Sequence, residues 1–293
     1  MHTAPVVEPA AGQEAPGGED LLQQQAAALR ALPAFEQAVR AYTQGLARFR
    51  EAPRLINKIT SYESRFRVVG YLLYLHVDRE RFGPEGGATY ARLLELCTRR
   101  QEVSPRTLKT TLALLKLTRF IRMQRNAVDR RSSYYRPTAS MYGFIRQWLA
   151  YAVDSLDALQ PQGQRARLLR EDPTFIDRFL VAGGRDHVDS EPPADRMPEF
   201  IDYFGHREGA GAVILAVMLA QLAGTSLPSR QHIARRFGLS KAQVSNLIGE
   251  GARLGFFTVD ESGVPTATTR LHDYYRRWIF IELAFYARHM RPA

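Results

Sequence analysis

The sequence predicts a mainly helical chain that runs twice through one plan: helix, helix, turn, helix, two-stranded ribbon, helix. Three observations predict it. VSPRTLKTTLALLKLTRF, ending at Phe120, aligns without a gap with LSKAQVSNLIGEGARLGF, ending at Phe256. EFID after Pro198 matches RLIN after Pro53, and AVILAVML matches RVVGYLLY at the same offset. RPTAS aligns with VPTAT, and RQWLAYA echoes RRWIFIE. Separate matches in the same order point to a duplication.

The chain has 293 residues, enough for two domains of ordinary size, each with its own core. Residues 1–20 are rich in Pro, Gly, Ala and Glu and read as a disordered tail. They lack the basic start and apolar run of a signal peptide, so a cytoplasmic, nucleoid-associated protein is expected. Residues 21–50 read as one or two helices, broken near Pro33.

The first repeat spans 53–158. It starts with a helix over Pro53 to His76, whose apolar face is Leu55, Ile56, Val68, Val69, Leu72 and Leu73. TYARLLELCTRR is the second helix. The third has Ser104 as N-cap and Pro105 at the first helical position, where its missing N–H costs nothing. FIRMQR and SSYYRPT are strands flanking NAVDRR, and a long helix containing IRQWLAYA closes the unit. A connector, 159–197, is partly helical, with Asp172 a cap and Pro173 the first helical residue. Gly183 to His187 reads as a loop, and the EPPAD stretch as flexible.

The second repeat spans 198–293. GAGAVILAVMLAQLAG is the longest apolar run, too short and too rich in small residues for a bilayer span, and reads as a buried helix. SRQHIARRF follows and ends at Gly238; Ser240 caps the next helix. In that helix Val244, Leu247, Ile248, Gly251 and Leu254 share the core face, leaving Ala242, Gln243, Ser245 and Asn246 outside. Phe256 and Phe257 start a strand, DESG is a tight turn, VPTAT returns, and YYRRWIFIELAFYA closes the unit. This order is a winged helix-turn-helix. The predicted fold is therefore mainly α: two tandem winged helices in a pseudo-dimeric arrangement, or two modules per chain with the chains pairing again as a homodimer.

Formal net charge is +10. Arginine is abundant and lysine is confined to Lys58, Lys109, Lys116 and Lys241, a bias that a GC-rich genome also produces. Placement is more telling. Arg99 to Arg136 holds eleven basic residues against two acidic ones, whereas Arg230 to Arg277 holds eight against four. Charge gathered on one such stretch points to an acidic partner.

NAVDRRSSYYRPTAS, Asn126 to Ser140, resembles the wing of MarR-type winged-helix regulators, with an Asp-Arg-Arg tip followed by a strand and the closing helix. The turn before the first wing strand, Leu114 to Phe120 and Ala252 to Phe257, is similar as well. The resemblance covers roughly 53–158 and 198–290 and implies a DNA-binding transcriptional regulator. Such proteins are typically half this length and act as homodimers; this chain departs by carrying two copies.

In a winged helix the third helix enters the major groove and phosphates supply most of the affinity. The predicted contacts of the first copy are Arg106, Thr107, Lys109 and Thr110, with Arg106 able to pair with guanine. Those of the second are Lys241, Gln243, Ser245 and Asn246, with Gln243 and Asn246 suited to adenine. Ser229 and Arg230 open a helix whose N–H groups can hold a phosphate. Arg130 and Arg131, with Asp129 bracing one of them, fit a narrow minor groove. Arg125 and Arg136, on the wing strands, complete the set. The second wing carries Asp260 and Glu261 and suits a groove poorly, so the first copy is expected to grip more strongly.

Other residues read as structural. Trp148 and Trp278 hold matching places in the closing helices and read as packing. One of each pair Tyr134–Tyr135 and Tyr274–Tyr275 is expected inside. Cys97 reads as a buried thiol, and a single cysteine excludes a disulfide within the chain. His76 and His232 read as ordinary helix residues. No metal site or cofactor is expected, and no nucleophile–base pair, paired-carboxylate motif or nucleotide loop marks an enzyme. The expected partner is double-stranded DNA, with no membrane; a small-molecule effector has no support in the residues. Rival readings are a plasmid-type replication initiator that binds origin repeats and a winged-helix scaffold that binds protein.

Overall fold

A computed structural model describes residues 18–51, 54–60, 62–101, 103–125, 133–190 and 197–291. It is mainly helical, with two small two-stranded antiparallel sheets among the described residues. Two helices lead, α1 (Gly18–Arg30) and α2 (Phe35–Phe49). Next come α3 (Arg54–Thr60), α4 (Glu63–Val77), α5 (Arg79–Phe82), α6 (Tyr90–Arg99) and α7 (Pro105–Leu117). Strands β1 (Ile121–Arg125) and β2 (Ser133–Pro137) precede the long α8 (Ala139–Leu159). Two helices bridge to the second half, α9 (Arg165–Glu171) and α10 (Phe175–Asp189). The order then repeats as α11 (Pro198–His206), α12 (Ala210–Ala223), α13 (Arg230–Phe237), α14 (Lys241–Arg253), β3 (Phe257–Val259), β4 (Pro265–Ala267) and α15 (Thr269–His289).

The halves share local devices as well as order. Ser104 and Ser240 cap α7 and α14 by accepting from the N–H of Thr107 and Gln243. Each of these helices has 13 residues. Each ends in a left-handed residue, Arg119 at φ 58° and Gly255 at φ 72°. Thr138 and Thr268 cap α8 and α15, each 21 residues long, and their backbone N–H groups donate to Phe120 and Phe256 at 2.9 and 3.0 Å. Thr138 therefore corresponds to Thr268. The RPTAS–VPTAT alignment, which pairs Thr138 with Thr266, is displaced by two residues because it follows the shared Pro-Thr-Ala and misses the caps.

The segments outside the repeats pack on both of them. α2 packs on α8 and on α12; α10 packs on α15 and on α4. α1 lies on α15, α9 lies on α8, and α8 touches α15. The pattern is reciprocal: each half's leading helices cross onto the other half. Leu29-Arg30, Pro33 and Phe35 recur at the same spacing as Leu169-Arg170, Pro173 and Phe175, and α2 and α10 are both 15 residues long. The buried apolar residues accordingly form one continuous core from Ala26 to Met290, not one core per half.

Several expectations change in detail. The helix over Pro53 to His76 is two helices, since Tyr62 is extended ahead of α4. Gly183 to His187 is not a loop but lies inside α10. A Cβ on Gly184 would fall 2.3 Å from the Tyr74 ring, and one on Gly183 2.9 Å from Phe285. The glycines let α10 approach α4 and α15 closely. Asp172 does not start α10 at Pro173; its carboxylate accepts from the N–H and the hydroxyl of Thr174, and the helix begins at Phe175. The tail expected over 1–20 falls largely on residues outside those described, with α1 starting at Gly18. EPPAD also lies outside them. α12 is buried along nearly its whole length, as its composition requires. Among the described residues, no helix is long and apolar enough to cross a membrane.

Trp148 stands against Phe66 and Tyr286, and Trp278 against Phe204 and Tyr275. Tyr135, Tyr275 and Cys97 are buried.

Candidate nucleic-acid interface

Helix α7 is amphipathic at the helical period. Leu108, Thr111, Leu112 and Leu115 are buried, and Arg106, Lys109, Thr110, Ala113, Lys116 and Leu117 are exposed. Thr107 is occupied by the cap, its hydroxyl 2.9 Å from that of Ser104. The Thr110 hydroxyl donates back to the Arg106 carbonyl at 3.0 Å. The chain leaves α7 through exposed Arg119 and enters β1, where Ile121 is buried and Arg122 to Arg125 are all exposed.

Helix, turn and strand thus present Arg106, Lys109, Lys116, Arg119, Arg122 and Arg125. Among the described residues none of the six is joined to a carboxylate. Lys116 lies 5.5 Å from the Tyr135 ring. In the sequence Lys116, Arg119 and Arg122 count as charge but not as DNA contacts. The signal that finds them is their position: the two exposed rows of α7 and the exposed run of β1 meet at the Arg119 turn. Asp129, Arg130 and Arg131 lie outside the described residues.

Arg136 departs from expectation. It is 9% exposed and turned inward. Its guanidinium donates to the Gln124 amide oxygen at 3.0 Å and to both the carbonyl and the carboxylate of Glu85. It also approaches His76 Nδ1 at 3.4 Å and lies over the Tyr134 ring. Burial, with Arg136 and Arg79 beside it, lowers the His76 pKa to about 4, so the ring is neutral and can accept from Arg136. Arg136 fastens the ribbon to the body, helped by the Tyr135 N–H, which donates to Ala88 at 2.7 Å.

In the second half the corresponding surface is engaged internally. Arg230 donates to the Ser245 hydroxyl at 3.2 Å and to the Gly263 carbonyl at 2.7 Å, tying α13 to α14 and to the second ribbon's turn. Gln243 does not face outward; its amide donates to the Glu208 carbonyl at 2.8 Å. The Ser229 hydroxyl caps α13 by accepting from the His232 N–H. Arg207 pairs with Glu250, Arg236 with Glu51, Arg270 with Glu199 and Arg276 with Glu36. Of the second set, Lys241 and Asn246 remain exposed. Asp260 holds its turn by accepting from the Ser262 hydroxyl at 2.7 Å and the Val264 N–H at 2.9 Å, which keep its carboxyl below the usual range.

What the first face can do is electrostatic. Uncompensated cations on a helix and an adjoining strand meet a polyanion without first breaking internal ion pairs. Among the described residues no cluster of His, Cys, Asp or Glu suits a metal ion. No protein-family model, curated protein or solved structure matches the chain.

Proposed function

We propose that the chain is a sequence-specific, double-stranded DNA-binding transcriptional regulator built from two winged helix-turn-helix units about a pseudo-two-fold axis. α7 lies in the major groove, and the β1–β2 ribbon follows the adjoining backbone toward the minor groove. The observation that carries this reading is the set of six exposed cations on α7, its turn and β1, none joined to a carboxylate among the described residues. The order helix, turn, helix, ribbon behind that face and the MarR-like wing sequence support it further. On this reading Arg106, Lys109 and Thr110 reach base edges, and Arg119, Arg122 and Arg125 touch phosphates.

Genome-wide mapping of bound sites, followed by gel shifts on the mapped duplexes, tests it. Specific retardation that collapses with rising salt is expected. Changing Arg130 and Arg131 to alanine separates two roles for the tip: an electrostatic anchor loses binding on all sequences, and a shape reader loses it at A·T-rich flanks. A wild-type chain that binds no duplex DNA at low salt ends the proposal.

A further inference from the structure

The gapless correspondence between the halves runs from Ser104–Arg125 to Ser240–Glu261, fixed by the shared caps and the shared left-handed turn. Along it, every cation of the first face gives way to a residue without positive charge. Arg106 corresponds to Ala242, Lys109 to Ser245, Lys116 to Ala252, Arg119 to Gly255, Arg122 to Thr258 and Arg125 to Glu261. Lys241 and Arg253, opposite Pro105 and Leu117, are the cations that α14 carries. The buried positions stay small or apolar: Leu108, Leu112 and Leu115 face Val244, Ile248 and Gly251. One surface therefore diverged over a retained scaffold.

Ser245 and the second ribbon's turn are latched, whereas Lys241 and Asn246 stay exposed. Arg230 holds Ser245 on one side and Gly263 on the other, so helix and ribbon turn are fastened together. The three-residue strands β3 and β4 end in a turn that carries Asp260 and Glu261 toward solvent, where a phosphate would be repelled.

We infer that the chain grips duplex DNA through the α7–β1 face alone, so that its target is a single asymmetric site per chain and not the inverted repeat that two equal faces would select. This rests on the DNA-binding reading above. A two-fold protein with two competent faces mirrors its symmetry in a palindromic operator. Here the scaffold is paired but the charge is not, and the bound site spans about one helical turn, ~10 bp.

The test is selection of binding duplexes from a random-sequence pool with the full chain, followed by titration of the winning duplex with three variants. A non-palindromic motif bound by one chain is expected. Arg106→Ala with Lys109→Ala should weaken binding about 100-fold, and Lys241→Ala with Asn246→Ala less than about 3-fold. All four side chains are exposed, and circular dichroism checks that each variant folds. The third variant, Ala242→Arg with Ser245→Lys, restores the missing charge; it should tighten binding to an inverted repeat of the selected motif about 10-fold, leaving the single motif nearly unchanged. An inverted repeat selected by the wild-type chain, with both alanine pairs equally damaging, overturns the single grip while the DNA-binding reading stands. Failure of the wild-type chain to retain any duplex at low salt overturns both.

Discussion

Among the described residues the α7–β1 face meets solvent with Arg106, Lys109, Lys116, Arg119, Arg122 and Arg125 joined to no carboxylate, while the second half ties Arg207, Arg236, Arg270 and Arg276 to Glu250, Glu51, Glu199 and Glu36. What the halves keep in common packs on the core or caps a helix: Ser104 and Ser240, Thr138 and Thr268, and the partly buried Trp148 and Trp278. The six cations that they do not share are exposed. Removing a cap or a core side chain costs about 1 kcal/mol or more, whereas exposed substitutions typically stay within about 0.5 kcal/mol. An exposed face is thus freer to differ between the halves than the scaffold beneath it.

The largest effect expected from this contrast is on the salt dependence of DNA binding. Replacing Arg119, Arg122 and Arg125 by alanine should flatten the slope of log K against log salt by about 0.9 for each phosphate that is no longer neutralised. Replacing Arg235, Lys241 and Arg253 in the second half should leave the slope near the wild-type value. Fluorescence anisotropy across a salt series measures both; equal flattening would mean the two faces bind alike.

The reciprocal crossing of the leading helices supplies the next comparison. Within the first half a Cβ on Gly45 of α2 would lie 2.6 Å from the Tyr151 ring of α8, and where α10 crosses onto the first half one on Gly184 would lie 2.3 Å from Tyr74 of α4. Neither glycine has a positive φ, so the need is for space and not for conformation. Gly45→Ala and Gly184→Ala should each destabilise by about 1–3 kcal/mol through overpacking. Chemical denaturation of the two variants compares a contact within one half with a crossing between the halves; a neutral Gly184→Ala would show that α10 is the looser clasp.

These crossings mark the limit of what the sequence discloses. The repeat, the Ser104–Pro105 helix start, the buried run of α12 and the burial of one tyrosine in each pair are written in local spacing, where side-chain period and caps act directly. The α10 glycines mislead because Gly-Gly reads as a loop until a ring is placed against it. Arg136 and Arg125 are chemically identical and lie on paired strands, yet one is buried on Glu85 and the other is exposed. Only the fold around Glu85 and His76 separates them. Gln243 turns inward for the same reason, since Glu208 is 35 positions away in the chain. The Leu-Arg, Pro, Phe spacing that joins α1–α2 to α9–α10 is present in the sequence but too short to stand out without the packing.

A pH dependence separates the closing helices. Where α8 has buried Ala152, α15 has Glu282, by the register that pairs Trp148 with Trp278. Burial, then the charge of Glu63 on α4, raise the Glu282 pKa from 4.5 to about 7, against smaller lowering by the Tyr286 hydroxyl and Arg67. Tyr42 of α2 joins the group through Tyr286. A carboxyl raised in the folded state binds its proton more tightly there than in the unfolded chain. Its contribution to stability is therefore complete below about pH 4.5 and is lost as pH rises through about 7. Glu282→Gln should remove that decline, seen as a flatter plot of melting temperature against pH; a Glu282→Gln profile parallel to wild type would place the charge in water.

The smallest effect concerns the turn that both halves make before the first strand. Gly255 takes its left-handed conformation without strain, but Arg119 takes the same conformation with a side chain, at a cost of roughly 1–2 kcal/mol. Glycine itself loses more freedom on folding, about 0.5–1 kcal/mol, so Arg119→Gly should stabilise the chain by at most about 1.5 kcal/mol. The same change removes one cation from the exposed face and should weaken DNA binding. A variant that melts higher and binds less tightly would show that the first half keeps a strained arginine at this turn because the charge is used. Stabilisation with unchanged affinity would instead make Arg119 a bystander and shift the grip toward Arg106 and Lys109.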